Sequence, residues 1–162
     1  MTETIVINSS LSTEEKYIEI GRQLRNLLSK NENAISNLAN FSALLKQTFE
    51  KINWVGFYLF DGKELYLGPF QGKVACTIIQ IGKGVCGTSA QKKETIIVPD
   101  VNQFPGHIFC DPDSKSEIVI PVLKNDKLFG VLDLDSSSLN SFDETDKKYL
   151  EEFVNFLSSE II

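Results

Sequence analysis

Residues 54–70 read WVGFYLFDGKELYLGPF and residues 117–136 read EIVIPVLKNDKLFGVLDLDS. Each stretch sets two apolar runs on either side of a turn dipeptide, Asp61-Gly62 in the first and Asn125-Asp126 in the second. Side chains in a strand alternate faces, and a tight hairpin turn favours Asn, Asp and Gly at its centre. Both stretches therefore read as β-hairpins, the first turned as type I′ at Asp61-Gly62. Two hairpins in one chain demand an antiparallel sheet, because parallel neighbours need long crossovers.

Helices bracket this sheet. Over residues 13–30, Tyr17, Ile20, Leu24, Leu27 and Leu28 recur at helical spacing, with Thr13 as the cap and Glu14 and Glu15 in the first turn. A second helix runs from Ala34 to about Glu50, with Leu38, Phe41, Leu45 and Phe49 on one side. A third spans residues 143–162 with Leu150, Phe153, Val154 and Leu157 as its apolar stripe; Ser141 and Glu144 have capping-box spacing. Between the hairpins lie an apolar strand VACTIIQI, a Gly-rich turn opening a short helix, GKGVCGTSAQKK, a short strand ETIIVPD, and a loop over residues 100–116. The expected fold is one α+β domain over residues 1–162. N-terminal helices fill about 13–50, the sheet about 52–138, and the last helix about 143–162. The terminal helices pack on one face, and a small-molecule pocket lies under loops on the other.

The 162 residues carry a net charge of −6. That balance argues against nucleic acid or an anionic membrane as partner, since both reward Lys/Arg clusters. The first residues lack a signal-peptide pattern, and no apolar run has the length of a spanning helix, so a cytoplasmic address is the default.

Three cysteines, Cys76, Cys86 and Cys110, stand ten and twenty-four residues apart beside a single histidine, His107. This is not the close pairing of a structural zinc site. Cys110 sits in QFPGHIFCDPDSKS, among residues that form loops rather than cores. Phe109 suits a core position, but Asp111-Pro112-Asp113 does not, which favours a functional thiol at Cys110. Cys76, inside an apolar run, reads as a small buried hydrophobe. Asp133 and Asp135 share a strand face opposite Leu132 and Leu134; the plain reading is a solvated face, the sharper one a carboxylate clamp for a primary ammonium. Trp54 and Tyr58 also share a face and read as core or as a thioether pocket. Glu117 is either a strand-edge charge or a general acid. His107 reads as a loop histidine. GKGVCG fits G-x-G-x-x-G, yet hairpins flank it where a dinucleotide fold needs crossovers.

The segments WVGFYLFDGKELYLGPFQGKVACTIIQIGKGVCGTSA, VPDVNQFPGHIFCDPDSKSEIVIPV and LFGVLDLDS together resemble free methionine-(R)-sulfoxide reductase, a single-domain GAF family. The resemblance implies a GAF-like antiparallel sheet and reduction of the free R epimer by thiols, with no metal and no cofactor. On matching positions it implies Cys110 as nucleophile, Cys86 as resolving thiol and Cys76 as auxiliary. Trp54 and Tyr58 would line the methyl pocket, and Glu117, Asp133 and Asp135 would hold the substrate's polar groups. It further implies thioredoxin as reductant, a role in oxidative stress, and a homodimer in many members.

The residues themselves leave room for alternatives. Asp111 and Asp113 beside Cys110 would raise its pKa by like-charge repulsion. Spacing alone leaves Cys76 open as the resolving thiol. Two other readings are a non-catalytic GAF module sensing a cyclic nucleotide or other small ligand, and a redox-sensing thiol protein without turnover.

Overall fold

The computed structural model describes residues 5–108 and 110–162; Phe109 lies outside the described residues. Helices α1 (Thr13–Leu27) and α2 (Ala34–Thr48) precede the first hairpin, β1 (Trp54–Phe60) and β2 (Glu64–Gln71). Next come β3 (Ile78–Gln80), α3 (Gly84–Lys92) and β4 (Ile96–Val98). The second hairpin, β5 (Ser116–Lys124) and β6 (Lys127–Ser136), leads into α4 (Glu144–Phe156). The six strands form one antiparallel sheet in the order β3-β2-β1-β6-β5-β4. The two hairpins thus meet along β1 and β6, and the unit β3-α3-β4 spans the whole sheet from edge to edge. That placement removes the dinucleotide reading of GKGVCG, whose two strands must run parallel in one crossover unit.

Alternation along the central strands divides the interior in two. Val55, Phe57, Leu59, Ile118, Ile120, Val122, Leu132 and Leu134 face α1, α2 and α4 and form one buried cluster with Tyr17, Leu24, Phe41, Leu45, Leu150 and Phe153. On the opposite face Trp54, Tyr58, Val119 and Val131 pack with Val85, Cys86 and Ala90 of α3 and with Val101. One polar knot crosses the helical layer. Asp146, fully buried, accepts from the Tyr17 hydroxyl at 2.6 Å and the Lys51 ammonium at 2.7 Å. This ties α1 and the entry to β1 onto α4.

Several local expectations shift. The cap of α1 is Ser12, whose hydroxyl accepts from the Glu15 N–H while Glu15 bonds back to the Ser12 N–H. The helix stops at Leu27, and Asn37 bonds both the N–H and the carbonyl of Ser29 to hold the turn into α2. In the first hairpin Asp61 closes the turn against Glu64, so Gly62 and Lys63 are its central residues and only Gly62 of the two has positive φ. The Asp61 carboxylate accepts from the Lys63 and Glu64 N–H groups, which fixes this arrangement instead of type I′ at Asp61-Gly62. The second turn is as read, with Asn125 and Asp126 both at positive φ. Asp143, not Ser141, caps α4, in a capping box with Asp146, and Ser141 turns instead toward Ser136 and Ser138. After Phe156 the last helix widens into a π-type turn over Leu157–Ile161. VACTIIQI is strand only at Ile78–Gln80, so Cys76 lies in a loop. Among the described residues no helix is long and apolar enough to cross a membrane.

Candidate functional site

The inner face of the first hairpin anchors the site. Trp54 and Tyr58 stack with ring centroids 6.0 Å apart. Their polar ends are used: the Trp54 indole N–H donates to the Lys73 carbonyl at 3.0 Å, and the Tyr58 hydroxyl to the Cys76 carbonyl at 3.1 Å. The aromatics therefore pin the loop of residues 72–77 over the sheet, and this pinning ends the strand expected there. Gly72 opens that loop at φ +138°, where a Cβ would lie 2.5 Å from the Trp54 ring. Only glycine combines that backbone with that approach.

The β5–β6 register brings the acids together. Glu117 pairs with Asp135, and Asp135 in turn lies opposite Trp54 across β1–β6. Asp133 lies opposite Gly56, whose missing side chain lets the Trp54 ring and Phe70 close down on the strand: a Cβ there would lie 2.8 Å from the ring and 2.3 Å from Phe70. Glu117 and Asp133 are 5% and 6% exposed and Asp135 is half-buried, which replaces the solvated-face reading at Asp133. Burial pushes the Glu117 carboxyl well above the carboxylate range, and the nearby charge of Asp135 adds to it. Asp133 is raised by burial and then by Glu117, Asp135 by burial and then by Asp133. Among the described residues the Asp133 Oδ1 atom has no hydrogen-bond partner. A cluster of this kind rewards a cation that satisfies several oxygens at once.

The thiols depart from expectation. Cys110 is joined to Cys76 in a disulfide, with Cα atoms 5.5 Å apart. The resemblance implied Cys86 as the thiol that resolves Cys110. Cys86 lies instead in the first turn of α3, a free thiol 4% exposed. The cause is the close docking of α3 on β3: a Cβ on Gly87 would sit 2.2 Å from the Gln80 carbonyl. This seats Cys86 under the pocket floor, with its sulfur 3.9 Å from Glu117 Oε1. Burial, then Asp133, raises the Cys86 thiol well above its ordinary value, so it stays protonated and is a poor nucleophile. Cys76 is not fully buried either: it is half-buried in its loop at the edge of the pocket-face cluster, where it bonds Cys110. Lys73 joins the same two loops by ion pairs to Asp113 and Asp111. Those aspartates are thus partnered by a cation rather than pressing their charge on Cys110 alone.

All these groups line one pocket of about 510 Å³, mouth included: Trp54, Tyr58, Cys86, Cys110, Glu117, Asp133 and Asp135. Cys76 closes its rim through the bond to Cys110. His107 also lines the pocket, its Nε2 atom 3.3 Å from Glu117 Oε2. The loop reading of His107 missed this contact. The ten-residue separation of His107 and Glu117 carries no periodicity, since a loop joins them. Cys86, Glu117 and Asp133 offer ligand atoms within 4.8 Å of one another, close enough for one small cation.

Comparison with known proteins agrees with this geometry. Residues 37–161 match the model of the GAF domain. The chain is 51% identical to GAF domain-containing protein A of Dictyostelium discoideum, over 98% of this chain and 100% of that one. It is 45% identical to free methionine-R-sulfoxide reductase of Saccharomyces cerevisiae, over 96% of this chain and 91% of the yeast protein. A solved free methionine-R-sulfoxide reductase from Neisseria meningitidis, in complex with its substrate, is 41% identical and superposes with a TM-score of 0.92, covering 97% of this chain and 94% of that one.

Proposed function

The chain belongs to the GAF domain family, and within it to the free methionine-R-sulfoxide reductases; from that premise we propose how its pocket reduces free L-methionine (R)-sulfoxide to L-methionine. The observation that carries the reading is the sharing of one cavity by the Cys110 sulfur and the Asp133 and Asp135 carboxylates.

The substrate's ammonium goes to Asp133 and Asp135, where it offsets charge that burial makes costly. An internal methionine of a protein has no such ammonium, so the pocket selects the free amino acid. The methyl-thioether end packs against Trp54 and Tyr58, as sulfur does on aromatic rings. Ammonium, thioether and sulfoxide oxygen make three fixed points, enough to separate R from S at sulfur.

Cys110 attacks the sulfoxide sulfur as a thiolate, its proton having gone to water. Glu117, held protonated by its burial, gives its proton to the oxygen. The attack forms a bond between the Cys110 sulfur and the substrate sulfur. The protonated oxygen then passes from the substrate sulfur to the Cys110 sulfur as the substrate S–O bond and the new sulfur–sulfur bond both break. Methionine leaves reduced by two electrons, and Cys110 is left as a sulfenic acid, oxidised by two. Glu117 recovers a proton from water. The Cys76 thiol then attacks the sulfenic sulfur; a sulfur–sulfur bond forms, and hydroxide leaves with the Cys76 proton as water. The Cys76–Cys110 bond supports Cys76 as the resolving thiol in place of Cys86. A dithiol reductant of the thioredoxin type, in a reducing cytoplasm, closes the cycle by exchange.

Incubation with each epimer and a dithiol tests the reading. The R epimer alone should be reduced, and Cys110→Ser should abolish the reaction. Equal turnover of both epimers, or undiminished turnover by Cys110→Ser, overturns it. The cyclic-nucleotide sensor reading is disfavoured by a pocket whose polar lining is mainly carboxyl groups, which do not stabilise a phosphate; calorimetric binding of a cyclic nucleotide would restore it.

A further inference from the structure

The His107 side chain is 6% exposed and that of Glu117 is 7% exposed. The two face each other across the pocket wall with Nε2 3.3 Å from Oε2, while the other Glu117 oxygen, Oε1, faces the Cys86 sulfur. Resting on the reductase reading, we infer that His107 is the positioning residue of Glu117: its Nε2–H, donated to Oε2, leaves the carboxyl proton on Oε1 for the sulfoxide oxygen.

The reason lies in the two ways this pair can share protons. A protonated carboxyl has one oxygen that donates and one that accepts. If Glu117 donated to Nε2, its proton would be engaged with the imidazole and withheld from substrate. If Nε2 donates to Oε2, the acid is turned the productive way. The same N–H then steadies the carboxylate left after proton transfer, because a hydrogen bond to the charged form favours it. Burial lowers the readiness of His107 to take a second proton, which keeps it neutral and able to choose one tautomer. The ionisable groups around the pair are Cys86 from α3, Lys83 just before it, Tyr58 from β1, Asp133 and Asp135 from β6, and Asp111 from the Cys110 loop. Of these neighbours the protonated Cys86 thiol reaches only Oε1, as a weak donor that substrate oxygen can replace, and the Tyr58 hydroxyl is taken by the Cys76 carbonyl, so the imidazole N–H is the group suited to orient Glu117 through Oε2.

The experiment is steady-state kinetics of His107→Ala and His107→Gln on the R epimer across pH, with wild-type protein alongside. The Ala variant should lose kcat by roughly 10- to 100-fold, part of what general acid catalysis supplies, with KM little changed. Its alkaline limb, set by loss of the Glu117 proton, should move to higher pH, because the donor that favoured the carboxylate is gone. The Gln variant restores a donor at this reach and should recover most of kcat and the original limb. Ala with wild-type kcat and an unmoved limb overturns the inference. So does a Gln variant as impaired as Ala, or a loss in Ala confined to KM. Wild-type protein that fails to reduce the R epimer would instead refute the reductase reading itself.

Discussion

Strand β6 sends Leu132 and Leu134 to one face of the sheet and Asp133 and Asp135 to the other. On the first face the leucines meet three helices and are wholly buried. On the second the aspartates meet a short helix, two linked loops and a cavity. Adjacent residues of one strand thus serve opposite ends. The leucines stabilise the fold by leaving water. The aspartates work against it, since carboxyls held above their ordinary range are destabilising wherever the unfolded chain would ionise them. Binding a cationic ligand removes that cost, and for this reason the acids sit in a pocket and not in the core.

Substitutions on the two faces should separate these roles. The largest effect is expected from Cys110→Ser, which removes the attacking sulfur: turnover of the R epimer should fall by roughly 10³-fold or more, while the reduced protein melts as wild type does. Residual turnover close to wild type would show that the pocket face does not depend on this thiol. Cys76→Ser should come next. It should release about one methionine per protein in a single turnover and then stall with a thioredoxin-type reductant, as read by rapid quench. Sustained turnover would return the resolving role to Cys86.

Leu132→Ala should cost about 2–5 kcal/mol of stability in denaturant melts and leave KM for the R epimer near wild type. Asp133→Asn, one residue on, should do the reverse. It should lower kcat/KM by roughly 10- to 100-fold, as loss of a charged hydrogen bond does, while raising stability at pH 7 by about 0.5–2 kcal/mol. The sign follows from its raised folded pKa. The folded state holds a proton that the unfolded state releases, so wild-type stability declines as pH rises above the unfolded carboxylate range. The Asn variant escapes that decline, and its advantage should vanish on acidification to about pH 4. An Asn variant less stable than wild type at pH 7 would break the contrast between the faces. The smallest effect belongs to the rim: Lys73→Met, which takes an exposed ammonium away from exposed Asp113 and buried Asp111, should change stability by about 1 kcal/mol or less in thermal melts.

Much of this was legible locally. Asn125 and Asp126 specify their turn because few residues tolerate positive φ, and the period-two alternation of β6 placed Asp133 and Asp135 on one face before any packing was known. The resemblance placed Cys110, Glu117, Trp54 and Tyr58 in the candidate set, and the fold brings all four to one cavity. The misses share a cause. Cys76 read as an apolar strand residue, but hydrogen bonds from Trp54 and Tyr58, some twenty residues earlier in the chain, draw its loop off the sheet. Cys86 stands in a segment that read as a Gly-rich turn opening a short helix, but the close approach of Gly87 to Gln80 seats it in the buried first turn of that helix. His107 lacked any local mark and owes its place beside Glu117 to the loop between them.

Short-range chemistry, written in side-chain period, turn propensity and caps, is what the sequence alone determined: two hairpins, amphipathic helices on either side of them, an antiparallel sheet, and the face each strand residue takes. Which sulfur meets Cys110, which groups surround Glu117, and whether the aspartates see water or one another were decided by the tertiary structure. Those outcomes depend on distances between segments tens of residues apart, and such distances exist only once the sheet has closed and the loops have docked upon it.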